Sequence, residues 1–222
     1  MRICFVSKED VEEYLQKLKQ AEEREECELT LFGFNGAGEV SYEKELKGET
    51  AYFEGIAKLS RMQNSVVVCG CVTNACGHKR KSAVVAERGK ILGVSDTLHA
   101  VDGKTACGAE LRVYETALGK MGVAVADDLR FPEVFKTLVL CGSDFIVCPA
   151  QSAEEIQSAL LRAHAYCYGT QIYFCAKGCV WAADTDGNLA FSSQESPAVS
   201  DFVYKKEYRL VETRRRLSYE RK

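Results

Sequence analysis

Residues 122–133, GVAVADDLRFPE, constrain this chain more than any other stretch. Val123, Ala124 and Val125 form a short apolar run of the kind a buried strand needs. Asp127 and Asp128 follow at a turn. Pro132 and Glu133 then open residues 134–141, where apolar side chains recur at helical spacing, and a proline–acid start suits a helix N-terminus. A second apolar run, 145–148, comes after Gly142. Strand, turn, helix and strand make the kernel of a layered α/β domain. The turn between strand and helix is also where one side chain can be lifted out of a sheet towards solvent.

The rest of the chain extends this pattern. Residues 1–7, 29–34, 66–72, 82–87, 91–95, 111–115 and 171–176 read as strands, with turns at Arg88-Gly89-Lys90 and Leu118-Gly119-Lys120. Residues 181–183 and 189–191 flank Asp186-Gly187-Asn188 as a hairpin. Asp10 can cap a helix carrying Val11, Tyr14, Leu15 and Leu18 on one face. That helix runs into the charged stretch AEEREE, read as a solvated face. Residues 49–63 and 152–168 are predicted as further helices, the second capped by Ser152. Strands alternating with helices favour an α/β fold over an all-β one, and there is no internal repeat or low-complexity linker.

Composition narrows the functional classes. A chain of 222 residues with 46% apolar content can fill the core of a single domain, and its net charge of −3 gives no footprint for nucleic acid. No window is apolar for long enough to cross a membrane. The opening MRICFVSKEDVEE lacks the basic and long apolar stretches of a secretory signal, so a cytoplasmic protein is expected. In that compartment the eleven cysteines are expected as free thiols, mostly small core residues. Cys69, Cys71, Cys76 and His78 have the residue types of a zinc site, but their C-x-C-x4-C-x-H spacing is not the usual one. Cys69 and Cys71 instead fit one face of a Val-rich strand. No metal and no cofactor is expected. The run from His78 to Lys81 reads as a solvated hairpin tip, His99 as a loop residue and His164 as a helix-surface residue. The tail from Lys205 holds eight Lys or Arg and three Glu, read as a basic arm.

The segment YETALGKMGVAVADDLRFPE resembles the nucleophile region of the carbon–nitrogen hydrolase (nitrilase/amidase) superfamily, where a strand ending in Cys is followed by Tyr-Asp-x-Arg-Phe-Pro-Glu. Asp128, Arg130, Phe131, Pro132 and Glu133 match. SAVVAERGKILGV, GSDFIVCPA, LLRAHAYCYGTQIYFCAKG, WAADTDGNLA and EYRLVETRRRLSYERK resemble further segments of the family in the right order. The resemblance implies a four-layer α-β-β-α sandwich formed by residues 1–204 as one domain. It also implies a homodimer or higher homo-oligomer, with arm 205–222 reaching towards the partner.

The resemblance implies a Glu–Lys–Cys triad as well: Cys attacks the substrate carbon, Glu moves the proton, and Lys steadies the developing charge. Here the Cys position is Ala126, fixed by the Asp-x-Arg-Phe-Pro-Glu that follows. The Glu position falls at Phe34 and the Lys position at Asp96. Losing the nucleophile of such a unit costs on the order of 10⁶ in rate, so a catalytically inactive family member with a binding or assembly role is expected. The alternative is an amidohydrolase acting on a small amide or nitrile through displaced groups. Cys141 and Cys148 are the thiols near the turn, both expected in apolar surroundings. Asp127, with Asp96 and Asp128, would form an acidic pocket fit for an amine or a cation, Arg130 lying beside it. Asp128 is otherwise expected to pair with Arg130 or to cap the helix that follows.

Overall fold

In the computed structural model, which describes residues 1–21 and 26–207, the chain builds two β-sheets stacked face to face with helices on both outer surfaces. The first half supplies β1 (Arg2–Val6), α1 (Val11–Gln20), β2 (Leu29–Phe32), β3 (Glu39–Ser41), α2 (Tyr42–Lys47), α3 (Tyr52–Gln63), β4 (Val66–Ala75), β5 (His78–Glu87) and β6 (Lys90–Asp96). The second supplies β7 (Val113–Thr116), β8 (Gly119–Val123), α4 (Pro132–Leu140), β9 (Phe145–Pro149), α5 (Glu155–Tyr168), β10 (Gln171–Ala176), β11 (Cys179–Ala183) and β12 (Leu189–Ser193). β13 (Ala198–Asp201) returns to the first sheet and pairs antiparallel with β1.

The sheets have the orders β13-β1-β2-β4-β5-β6, with β3 beside β4, and β12-β11-β10-β9-β8-β7. β1, β2 and β4 are parallel, as are β8, β9 and β10, which requires the helical crossovers between them. Strand alternation then divides the side chains into three apolar layers. Ile3, Phe5, Leu31, Val68 and Val85 face Met121, Val123, Phe145, Val147 and Tyr173 across the gap between the sheets. Cys4, Val6, Phe32, Val67, Cys69 and Val84 face α1 and α3. Ile146, Cys148, Ile172 and Phe174 face α4 and α5. This is the α-β-β-α sandwich. Each fully buried Leu, Ile, Val or Phe adds about 1.5–3 kcal/mol of burial energy, so all three layers contribute to stability.

Local chemistry sets the helix ends. The Asp10 carboxylate accepts the Glu13 N–H at 2.8 Å, and Glu13 reaches back towards the Asp10 N–H. Pro132 opens α4. Gly169 ends α5 in the left-handed region (φ 60°), and a Cβ there would lie 1.8 Å from the Glu207 carbonyl oxygen, so only glycine fits.

Several sequence-based expectations shift. Residues 49–63 hold a helix only from Tyr52, with the short α2 ahead of it. α5 is capped at Glu154 rather than Ser152. His164 is buried: its ring stacks on Phe135 with centroids 4.4 Å apart, and its Nε2 lies 3.0 Å from the Leu129 carbonyl oxygen. Cys141 is exposed rather than surrounded by apolar groups. Most of AEEREE, residues 22–25, lies outside the described residues, as do 208–222 of the basic arm. The first part of that arm follows the body: the Lys205 N–H donates to Gln171 Oε1, Lys206 Nζ pairs with Asp144 at 2.8 Å, and the Glu207 N–H donates to the Gly169 carbonyl.

Candidate functional site

Beyond β8 the chain passes through Ala124, whose N–H donates to the Val147 carbonyl, and Val125 into a 3-10 turn, Ala126–Arg130. Ala126 enters that turn with φ 49°. A non-glycine residue there is strained by about 1 kcal/mol or more, and such strain concentrates at functional turns. Ala126 is also the position at which the resemblance implies the nucleophile, and its side chain is a methyl group. That methyl is 5% exposed and belongs to the apolar layer between the sheets.

Phe34 lies in the same layer, 7% exposed, just after β2. Its N–H donates to the Ala150 carbonyl, which ties the end of β2 to the end of β9. Its ring passes so close over Gly70 that a Cβ there would sit 2.7 Å from Phe34 Cδ2. Phe34 and Ala126, two of the positions the resemblance implies for a triad, thus both lie in the apolar layer between the sheets.

The third does not join them. Ser82 pairs with Asp96 in the β5–β6 register, and Ala83 with Ser95. Ala83 faces the inter-sheet layer, so Asp96 points the other way, towards the α1–α3 side. There it accepts from Ser82 Oγ at 2.6 Å and lies 3.7 Å from Arg80 Nε. The side chain that reaches the turn from the end of β6 is the next one, Thr97, whose hydroxyl donates to the Val125 carbonyl at 2.9 Å.

An ammonium group does arrive at the turn, from a different strand. Lys81 has the same parity in β5 as Ala83 and Val85 and is 5% exposed. Its Nζ sits 2.6 Å from Asp127 Oδ2 and 2.9 Å from Asp102 Oδ2. Burial would push this lysine down, but the two carboxylates outweigh that and hold it above its ordinary value, fully protonated. The Lys104 and Thr105 N–H groups and Lys81 hold Asp102 well below the usual carboxylate range.

These contacts correct the idea of an acidic pocket. Asp127 already holds an internal ammonium, and Asp96 is on the far face of the sheet. Asp128 neither pairs with Arg130 nor caps α4. It is 1% exposed and accepts N–H bonds from Leu98 (2.9 Å), His99 (3.0 Å) and Val125 (3.3 Å), binding the turn to the loop after β6. Burial pushes it above its ordinary value while those N–H groups pull it back. Arg130 points outward, 3.8 Å from Glu154. His99 stacks on Phe131 with centroids 4.1 Å apart, its Nδ1 3.6 Å from Asp128.

The cysteine–histidine set does not assemble either. Cys69 and Cys71 are core thiols facing α1 and α3, whereas Cys76 and His78 are exposed at the β4–β5 turn. Among the described residues no group of three or more His, Cys, Asp or Glu is placed to hold a metal. Cys148 is buried beneath α4 and α5, and burial pushes its thiol far up. Lys81, expected at a solvated hairpin tip, is buried instead, and Thr97 and Asp102 are functional neighbours of the turn that no motif pointed to. For Lys81 a signal was available: it is two residues from Ala83 and four from Val85, so it shares their face.

Two stacked sheets with helices on both outer faces, and a strained turn at the end of β8, define an α-β-β-α sandwich of the kind the resemblance implies. The carbon–nitrogen hydrolase family model matches residues 6–193, and the chain belongs to that family. It is 25% identical over 133 residues to a probable nitrilase, C965.09, of Schizosaccharomyces pombe; the match covers 54% of this chain and 47% of that relative, about half its length. Saccharomyces cerevisiae Nit3, described as a member of branch 10 of the nitrilase superfamily, superposes with a TM-score of 0.73 at 13% identity, covering 98% of this chain and 93% of that one. A mutant of the Nesterenkonia AN1 amidase superposes with a TM-score of 0.75 at 17% identity, covering 98% and 97%. At those identities the superpositions speak for the fold alone.

Proposed function

We propose that this chain is a catalytically silent carbon–nitrogen hydrolase homologue, kept for binding or assembly. The observation that carries the reading is that Ala126 and Phe34 both lie in the apolar layer between the sheets. The strained turn persists, but its methyl group and the Phe34 ring share one apolar layer. A silent site needs no more explanation than that: no thiol stands at the turn to attack, and the Asp127 carboxylate is engaged by Lys81. Lys81 is itself protonated, so it supplies neither a nucleophile nor a base.

The assembly side of the proposal is a cytoplasmic homodimer with arm 205–222 at its interface. Leu140 of α4 and Ile156 and Tyr166 of α5 are exposed on the outer helical layer of the second sheet, which favours a contact there. All eleven cysteines are free, in keeping with a reducing compartment. Ammonia release from a panel of amides, nitriles and N-carbamoyl compounds tests the catalytic half. Sedimentation of the full chain and of a chain ending at Tyr204 tests the other half: a dimer that falls to monomer on truncation supports it. A native monomer, or a dimer indifferent to truncation, refutes the interface role.

A further inference from the structure

A concavity lies away from the turn at Ala126, on the outer face of the first sheet. It encloses about 740 Å³ between α1, the start of α3 and the Asn35-Gly36-Ala37-Gly38 loop, within the range of small-molecule sites. It is open because the residues around it are small. Ala37, Gly38, Ala51 and Gly55 leave the space unfilled, and a Cβ at Gly55 would meet only Val11, at 3.7 Å. Val11 and Leu15 supply a buried apolar floor. Two lining residues carry unspent hydrogen-bonding capacity: Asn35 Oδ1 and Thr50 Oγ1 are shielded from solvent and have no partner among the described residues.

The charges on its walls are ordered. α1 and α3 each connect parallel strands of one sheet, β1 to β2 and β2 to β4, so they run in the same direction. Both place an acid near the start and a lysine further along: Glu12 and Lys19 on α1, Glu54 and Lys58 on α3. None of these four makes an ion pair or hydrogen bond with a described residue. Acid-first order also suits a lone helix, so the order alone identifies no ligand. What distinguishes it here is that two such helices flank one empty volume. One end of the cavity is acidic and the other basic, separated by about 6 Å along α3 and about 10 Å along α1 at 1.5 Å per residue.

We propose that this cavity binds a small zwitterion, its ammonium held between Glu12 and Glu54, its carboxylate between Lys19 and Lys58, and a short apolar chain lying on Val11 and Leu15. The inference is independent of the silent-enzyme reading, because no residue of the turn at Ala126 takes part.

Calorimetric titration of the full chain at low salt with 6-aminohexanoate is the test, with hexylamine and hexanoate as single-charge controls. The expected result is saturable binding of 6-aminohexanoate about 2- to 5-fold tighter than either control, the size expected of one added exposed charge contact. Glu54→Gln should weaken 6-aminohexanoate and hexylamine but spare hexanoate, and Lys58→Gln should do the reverse. Gly55→Leu, which fills the cavity, should abolish binding of all three. No saturable binding, equal affinity for the three compounds, or binding that survives Gly55→Leu overturns the proposal. If Gly55→Leu fails to fold, the opposite selectivities of the two exposed variants decide alone, and their absence is equally fatal.

Discussion

The Lys81 ammonium lies 2.6 Å from the Asp127 carboxylate, so the residue that follows Ala126 is held by a strand of the opposite sheet. Lys81 comes from β5, and the turn extends β8. Asp102, from the loop beyond β6, closes the contact from a third side at 2.9 Å. The lysine and Asp127 side chains are 7% and 16% exposed, so removing the cation alone strands a partly buried charge. Lys81→Met is therefore expected to lose about 2–4 kcal/mol of stability. Adding Asp127→Leu should restore most of it. Urea unfolding of both variants checks this, and a loss under about 0.5 kcal/mol in the single variant would show the bridge to be ornamental.

Ala126 holds a left-handed backbone, φ 49°, at a non-glycine residue. Glycine adopts φ 49° without a Cβ penalty, so Ala126→Gly is expected to stabilise the chain by about 0.5–1 kcal/mol. Ala126→Val should cost about 2 kcal/mol or more, because β-branching disfavours that region and the site is already packed. Thermal unfolding of the pair reads the sign directly.

His164 gives the fold a pH dependence. Burial lowers it below the ordinary value of 6.5, partly opposed by its bond to the Leu129 carbonyl. The unfolded chain therefore binds this proton more readily than the folded one. Its contribution is intact above 6.5 and is lost as pH falls through 6.5 towards the depressed value. His164→Phe keeps the ring and removes the titration. The stability difference between native and variant is expected to shrink from pH 8 to pH 5; a constant difference would contradict the assignment.

Thiol chemistry reads the burial map. Cys76, Cys107, Cys141 and Cys167 are exposed, so four thiols should react rapidly with an aromatic disulfide in the native state. Cys4, Cys27, Cys69, Cys71, Cys148 and Cys175 should react only on unfolding, burial having pushed Cys71, for one, up to about 12. Fast reaction of Cys69 or Cys71 would mean that the face towards α1 and α3 is open, and would revive the metal-site alternative.

Much of this was legible beforehand because pattern and chemistry agreed. The apolar run 145–148, the helix after Pro132 and the cap at Asp10 are local signals, and each appears where its residues imply. β3, α2 and β13 are three to six residues long, too short to show a period. β13 in addition pairs with β1 from nearly the other end of the chain. The face of Asp96 could be read only from the β5–β6 register, since a one-residue shift moves every side chain to the other surface. Lys81 shares the parity of Ala83 and Val85, but it closes a basic run whose His78 and Lys79 are exposed, and the charge pattern outweighed the strand period.

The central claim is that the turn at Ala126 no longer performs hydrolysis. Ammonia release by the purified native chain over amides, nitriles and N-carbamoyl compounds, before and after alkylation of its exposed thiols, tests it most directly. The account predicts no release above the uncatalysed background in either state. Release that disappears on alkylation would contradict it, and would mean that one of the exposed cysteines has taken over the missing attack.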